Sequence, residues 1–249
     1  MISASAPLKL VSINIEGGRH LDTVLPFLTS ESADMVCLQE AYEPDFAMIA
    51  NVLGMRGMFA PMTLLRVDKK TGPHIPWGVG ILTGLPCSET QEHYYYGMRK
   101  PVPVFVDNIK TLYKVFIAIV VQKDGASYTV GTTHFTWTPD GQADVNQRRD
   151  LPALLAVVAK FPEIVFCGDF NAPRGREIFT KIAGLYKDNI PQTYDTSIDG
   201  KLHRDGPLHV MVDGLFTTPH YTAKNVRLVS GVSDHCAIVA DIDKQKIYK

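Results

Sequence analysis

The sequence predicts an α+β domain in which two mostly antiparallel or mixed β-sheets pack together with helices outside. Three observations predict it. Apolar runs of strand length outnumber helical patterns by about two to one. Many of these runs follow one another with only Gly, Pro or Asp between them, which favours strands that are neighbours in a sheet. No repeat, low-complexity stretch or linker interrupts the 249 residues, so one domain spanning residues 1–249 is expected.

Taken in order, Leu8–Ile13 reads as a strand, Arg19–Ser30 as a helix, Met35–Leu38 as a strand and Glu43–Leu53 as a helix. Val79–Thr83 is a strand, and the run Tyr94-Tyr95-Tyr96 fits another, since adjacent residues on a strand point to opposite faces. Tyr113–Val121 and Tyr128–Thr133 are strands. Asp144–Phe161 is the strongest helical pattern, with Leu151, Leu154, Leu155 and Val158 at helical spacing. Pro152 lies inside it, so the helix is expected to begin or bend there. Ile164–Cys167 is a strand, Arg174–Ala183 a short helix, and Val210–Phe216 and Cys236–Ile242 close the series as strands.

Hydrophobic residues make up 45% of the chain, enough for a sizeable core without disulfide or metal staples. Lys plus Arg number 25 against 26 Asp plus Glu, a net charge of −1, which excludes a strongly basic wrapper that binds nucleic acid through bulk charge. A locally basic cleft remains open. The clusters that could supply one are Arg99-Lys100 with Lys110 and Lys114, and Arg148-Arg149, the latter fitting equally the solvated face of a helix. None of Cys37, Cys87, Cys167 and Cys236 forms a CxxC pair, so four free thiols are expected. The opening MISASAPLKL lacks a secretory pattern, and no run approaches the roughly 18 apolar residues of a membrane span. A cytoplasmic monomer with no membrane span is the expectation.

Polar residues recur at the ends of the apolar runs. They are Asn14, Gln39 and Glu40, His134, Asp169 and Asn171, Asp213, and Ser233-Asp234-His235. Strand ends are where a rigid sheet presents side chains to a shared cleft. Each has an ordinary reading. Asn14 could form a turn before Gly17, Glu40 could favour a helix start, Asn171 could precede a helix at Pro173, and His134 could be a core histidine. Asp213 is harder to dismiss, because a carboxylate in an apolar strand is costly unless paired or ligated. Three carboxylates (Glu40, Asp169, Asp234), two asparagine carbonyls and two histidines suit a hard divalent cation and phosphate chemistry, with a histidine moving the proton.

The series N…QE…TH…GDFN…D…SDH, carried by Asn14, Gln39-Glu40, His134, Gly168-Asp169-Phe170-Asn171, Asp213 and Ser233-Asp234-His235, resembles the endonuclease/exonuclease/phosphatase superfamily. The resemblance runs from residue 8 to about 242 and rests on the combination of GDFN with a C-terminal SDH. It implies the fold of pancreatic deoxyribonuclease I, a four-layer α/β/β/α sandwich. It implies Mg²⁺, with Mn²⁺ as the alternative ion, held by Glu40 with Asn14 and Asp234. Asp169 and Asn171 resemble the pair that orients the attacking water and the scissile phosphate. His235 resembles the general base or the group that stabilises the transition state, with Asp213 fixing its tautomer. His134 resembles the histidine that hydrogen-bonds a phosphate oxygen or protonates the leaving group. Arg99 resembles an arginine near the substrate phosphate, or is an exposed hairpin charge.

The chain also departs from the pattern. Where deoxyribonucleases supply a glutamate partner for the first histidine, WGVGILTGLP carries no carboxylate, leaving His134 without an evident acid. The Lys/Arg-rich insertion of abasic-site repair members is absent, and NIEG after the first strand is similar to the NIDG of tyrosyl-DNA phosphodiesterases. The implied activity is metal-dependent hydrolysis of phosphodiesters in nucleic acid, as an endonuclease, exonuclease or end-processing enzyme. A phospholipid or a small phosphorylated metabolite is the alternative substrate, and a catalytically silent binding protein a third reading. Trp77 and Trp137 lie in loops next to the site strands, where either could stack on a base or sugar, or serve in the core or anchor a loop. Arg66–Trp77 and Thr136–Asp144 are expected to border the cleft.

Overall fold

The computed structural model describes residues 6–66 and 72–245. Its elements are β1 (Leu8–Asn14), α1 (Leu21–Glu31), β2 (Met35–Tyr42), α2 (Glu43–Leu53), β3 (Arg56–Arg66), β4 (His74–Thr83), β5 (Cys87–Tyr96), β6 (Lys114–Lys123), β7 (Ala126–His134), α3 (Val145–Val158), β8 (Val165–Asp169), α4 (Glu177–Ala183), β9 (Lys187–Asp188), β10 (Asp213–Thr217), β11 (Tyr221–Val229) and β12 (Ala237–Lys244). They form two six-stranded sheets, ordered β11-β12-β1-β2-β4-β3 and β5-β6-β7-β8-β10-β9. Each sheet has one parallel pair at its centre, β1–β2 in the first and β7–β8 in the second, and each pair is joined through a helix, α1 or α3. All other pairings are antiparallel. Both sheets are therefore mixed.

Alternation along the strands builds the layers. In β6, Val115, Ile117, Ile119 and Val121 enter the core between the sheets, while Phe116 and Ala118 face the helices on the other side. In β1, Leu8 and Leu10 enter the inter-sheet core while Val11 and Ile13 pack with Val24, Leu28 and Ile49 of α1 and α2. The outer face of the second sheet buries Phe166 and Phe216 against Leu154, Val158, Phe179 and Ile182 of α3 and α4. Strands buried on both faces carry few polar residues, as two-sided burial requires. Helix, sheet, sheet and helix are thus stacked in four layers.

Several boundaries differ from those the sequence suggests. The helix α3 starts at Val145, capped by the Asp144 side chain, which accepts from the Gln147 backbone N–H at 2.8 Å, and it runs through Pro152 without starting there. The Arg174–Ala183 helix shortens to Glu177–Ala183, and the Val210–Phe216 strand begins only at Asp213. The strands β3, β11 and all of β5 before its tyrosines carry no clear apolar pattern, and all three are edge strands. An edge strand meets solvent along one side and takes polar residues, as CSETQEH in β5 does. Tyr94 and Tyr95 do split between the two cores. All four cysteines are free thiols. Among the described residues no helix is long and apolar enough to cross a membrane.

Phe166 meets the rings of Phe116, Phe170, Tyr186 and Phe216. Phe166→Ala should lower the unfolding free energy by about 3–5 kcal/mol in urea titrations. Val106→Ala, at a position 77% exposed, should stay within about 0.5 kcal/mol of the parent. Equal losses for the two would show that the outer aromatic layer contributes no more than surface residues do.

Candidate functional site

The alternation that builds the core also builds the site. Residues of the inter-sheet face continue past the last apolar layer as polar ones: Ser12 and Asn14 on β1, Gln39 on β2, Thr132 and His134 on β7, Asp169 on β8 and Asp213 on β10. The two parallel pairs end together, with Asn14 beside Gln39 and His134 beside Asp169, and Asp213 lies opposite Asp169. The site therefore sits at the carboxyl ends of the central parallel strands of both sheets, where open α/β sheets place ligands. Gln39 ties the sheets beneath it, donating through Nε2 to Ser12 Oγ at 3.3 Å and Thr132 Oγ1 at 2.9 Å.

Two backbone devices turn side chains into this space. Val36 and Leu38 point to the helices, and the same parity would send Glu40 there too. Instead Glu40 adopts φ 55°, and the β2–β4 register shifts between Leu38 and Ala41. This bulge brings its carboxylate to Asn14, whose Nδ2 donates to Glu40 Oε1 at 3.1 Å, and returns Ala41 to the helix side. Asn171 also has a left-handed backbone, φ 49°. Its N–H donates to Asp169 Oδ1 at 2.7 Å, its Nδ2 to the Phe135 carbonyl at 3.1 Å, and its own carbonyl accepts from Gln147 Nε2 at 3.0 Å.

Asp169 is the hub. Its Oδ2 accepts from Asn14 Nδ2 at 3.1 Å and lies 3.5 Å from His134 Nε2 and 3.8 Å from His235 Nε2. Burial pushes its carboxyl up to about 7; the nearby Asp213 and Glu40 push the same way and His235 opposes them. Burial also raises Glu40 and Asp234. His235 and Asp213 form a pair, Nδ1 to Oδ2 at 2.7 Å, which leaves His235 Nε2 facing the cluster. Burial alone would lower the His235 pKa, but Asp213 and Asp169 together hold it well above the usual histidine range. His134 is held well below it, first by burial and then by Lys114 and His235. Among the described residues its buried Nδ1 has no hydrogen-bond partner, and the Trp77 ring packs edge-on at 5.6 Å, in keeping with the missing carboxylate.

Among the described residues, the donors that lie within 4.8 Å of one another are Glu40, His134 and Asp169. Asp234 is not among these histidine and carboxylate donors. Asn14 turns its amide nitrogen to the two carboxylates and its oxygen to the Glu16 N–H at 3.1 Å. Asp234 accepts from Ser233 Oγ at 3.2 Å and lines the same cleft as Glu40. A buried set of oxygen donors whose own carboxyls are driven toward the neutral form fits a divalent cation, which would reverse that cost.

The cleft above the hub has two lobes, of about 430 Å³ and about 510 Å³, which share Glu16, Glu40, Trp137, Asn171 and Arg204. His235 and Asp234 open onto the first, His134 onto the second. Thr138, Asp140 and Gly141 of the expected Thr136–Asp144 border line the first, and Arg66 and Trp77 line the second. Residues 67–71 of the other expected border lie outside the described residues. Arg99 is not part of the cleft. It is exposed and pairs with Glu92. Lys114 does not join a surface basic patch either. The first residue of β6, it points to the helix side, is 1% exposed, and donates to the Phe135 carbonyl at 3.4 Å. Burial lowers its ammonium pKa to about 8. Glu16, which pairs with Arg19 at 3.0 Å and His20 at 3.1 Å, is a cleft residue that the sequence signalled only through its place two positions after Asn14.

The Endonuclease/Exonuclease/phosphatase family model matches residues 11–235. The chain is similar to a solved endonuclease/exonuclease/phosphatase from Bacteroides vulgatus at 15% identity, TM-score 0.71, over 96% of this chain and 99% of that one. It is similar to a mannosyl-6-phosphatase from Bacteroides thetaiotaomicron at 11% identity, TM-score 0.69, over 95% and 99%. It is also similar to D. rerio TDP2 complexed with single strand DNA product at 15% identity, TM-score 0.66, over 95% and 99%. At these identities the likeness is one of fold, and the fold is the deoxyribonuclease I-like sandwich. No curated protein matches the sequence.

Gly168 holds Asp169 in place. Its φ is 143°, and a Cβ there would sit 2.1 Å from the Thr133 carbonyl oxygen of the paired strand. Gly168→Ala should cost about 1–3 kcal/mol in backbone strain alone, plus the steric shift of β8 from β7. The expected outcome is a lower melting temperature together with a loss of any activity that needs Asp169. A variant that melts and functions like the parent would show that the β7–β8 register is not what positions the hub.

Proposed function

The chain belongs to the endonuclease/exonuclease/phosphatase family, whose members are hydrolases of phosphoester bonds, and from that premise we propose that it is a Mg²⁺-dependent phosphodiesterase acting on nucleic acid. The observation that carries this reading is that Glu40 and Asn171, the two residues held against Asp169, line both lobes, so the site stands where the lobes meet. A phosphodiester has a substituent on each side of phosphorus, and a monoester has one. In-line displacement puts the attacking water and the leaving group on opposite sides. The histidines divide the same way, His235 toward the first lobe and His134 toward the second. Arg19, Arg66 and Arg204 line the cleft, Arg19 in a pair with Glu16, so basic side chains stand at its wall although the net charge is −1.

Glu40, with Asp234 and Asn14 beside it, would hold the cation, and His134 and Asp169 complete the close donor set. When bound, the ion neutralises charge that builds on the phosphoryl oxygens. Asp169 and Asn171 orient the water and the scissile phosphate, both fixed by the hydrogen bonds that hold Asn171. His235 presents Nε2, with Asp213 on Nδ1; its raised pKa favours the imidazolium, which stabilises the transition state, and the general-base role would require the neutral ring that a nearby cation favours. His134 donates a hydrogen bond to a phosphate oxygen or to the leaving group. Its ring is held by packing against Trp77 in place of a carboxylate.

Hydrolysis of bis-p-nitrophenyl phosphate should be abolished by EDTA and restored by Mg²⁺ or Mn²⁺. Asp169→Ala should lower it on the order of 10²–10³-fold or more. His235→Ala should also lower it strongly; unchanged turnover would remove that histidine from the reaction. A substrate panel of plasmid DNA, end-blocked oligonucleotides, a choline phospholipid and sugar phosphates tests the substrate class. Turnover confined to the last two would overturn the nucleic-acid reading, and no turnover of any phosphoester would overturn the enzyme.

A further inference from the structure

The two tryptophans that flank the site have different fates. Trp77 is 6% exposed and packed beneath His134, whereas Trp137 is 46% exposed at the mouth of the cleft, where it lines both lobes. Its exposure does not come from a loose loop. Thr136 and Thr138 on either side are each 4% exposed. Thr136 Oγ1 donates to Asp150 Oδ2 at 2.6 Å, and its carbonyl accepts from Gln147 Nε2 at 2.7 Å, so α3 pins the backbone that carries the indole. A large apolar ring held rigidly in water by its buried neighbours is surface that folding does not use.

The first lobe supplies further apolar walls. Ile198, Leu208 and Val210 line it, and Leu208 is itself 39% exposed. These residues come from the segment before β10, which is also fixed. Ser197 Oγ accepts from the Val212 and Asp213 N–H groups at 3.0 and 3.1 Å, its carbonyl accepts from the Cys236 N–H at 2.7 Å, and the Asp199 N–H donates to the Asp234 carbonyl at 2.8 Å. The apolar lining of this lobe is therefore built on the same backbone as Asp213, Asp234 and His235. Its distance from the reacting phosphate is set by the fold. Asp140 and His203 add polar atoms to the same lobe.

The geometry points to the first lobe as a binding subsite for a planar heteroaromatic ring carried next to the scissile phosphate, with Trp137 as its stacking platform and the substrate therefore a nucleotide ester. This rests on the phosphodiesterase reading for the position of the phosphate. An apolar slot with a fixed indole matches a ring face, which every nucleobase has, and stacking of this kind is sequence-tolerant. Asp140 and His203 can meet the ring edge. A choline ammonium or a sugar face can also lie on an indole, but neither brings a flat ring that the indole and the apolar lining of Ile198, Leu208 and Val210 would both cover.

The test is binding of adenosine 5′-monophosphate and of ribose 5-phosphate to the full chain, followed by calorimetry and by quenching of tryptophan fluorescence, with turnover measured separately. The full chain should bind adenosine 5′-monophosphate on the order of tenfold more tightly than ribose 5-phosphate, with quenching by the first alone. Trp137→Ala should remove most of that preference, and Trp137→Phe should keep most of it. Circular dichroism shows whether each variant is folded, and Leu208→Ala, which should reduce the same preference, serves if Trp137→Ala is not. Equal affinity of the parent for the two ligands, or a Trp137→Phe variant as indifferent as Trp137→Ala, overturns the subsite. Because binding needs no turnover, an inert protein that still prefers adenosine 5′-monophosphate supports the subsite and sinks the hydrolase; a diesterase without the preference does the reverse.

Discussion

A buried carboxylate shared between two sheets is the constraint on which the rest depends. Asp169 belongs to one sheet and Asn14 to the other, and the hydrogen bond between them at 3.1 Å crosses the sandwich at its open end. An ionised carboxylate that is 2% exposed is expensive unless its oxygens are paired. Here Oδ1 takes the Asn171 N–H, and Oδ2 takes Asn14 with both histidines nearby. Even so, its pKa rises to about 7, which shows that protein donors alone do not offset the burial and the neighbouring acids. An arrangement left short of positive charge in this way is one that a divalent cation would complete. The instability of the hub and its chemistry have the same origin.

How the hub is reached explains why the sandwich has this shape. Strands at the centre of each sheet are parallel pairs, so two strand ends emerge side by side and point the same way. A residue two positions beyond the last apolar one stays on the inter-sheet face, which is how Asn14 follows Leu10 and Ser12, and His134 follows Val130 and Thr132. The apolar layers below keep the two sheets at packing distance, and Gln39 joins them just under the site with bonds to Ser12 and Thr132. Where the pleat would send a needed group the wrong way, the backbone is bent. The left-handed conformation of Glu40 is strain of the kind that persists only where surrounding structure enforces it.

This logic also separates what was legible in the sequence from what was not. Central strands such as Leu8–Asn14 and Lys114–Lys123 are readable because burial on both faces demands continuous apolar residues. Edge strands such as Cys87–Tyr96 are not, because solvent on one side allows polar residues that look like loop. Of the two readings of Pro152, a start is ruled out, because the Asp144 cap and the packing of Leu151, Leu154 and Val158 begin the helix two turns earlier and carry it through the proline. In the site, residues at strand ends were visible because an acid beside a buried run is conspicuous. Lys114 reads in the sequence as part of a basic cluster with Arg99, Lys100 and Lys110, since nothing in KVFIAIVV says that its first residue turns inward under a helix. Gln147 and Ser197, which position Asn171 and Asp213 through the backbone, carry no chemical signature at all.

The near-neutral charge count then takes on a different meaning. Of the acids, Glu40, Asp169, Asp213 and Asp234 are concentrated in one cluster, while Glu16 beside them is already met by Arg19 and His20. A bulk excess of lysine and arginine would be needed to hold a long duplex through its phosphates over a flat surface. A substrate gripped at one phosphate by a cation and at its ring by a fixed indole needs no such excess, since the affinity comes from a few buried contacts and not from the field of the whole surface. Outside the cluster 25 basic side chains face 22 acidic ones, a slight excess that suits a cleft-based, locally read substrate. Under the proposed nucleic-acid reading, that favours short, single-stranded or terminal segments, whose bases are free to enter a lobe, over the interior of a stacked duplex, whose bases are not.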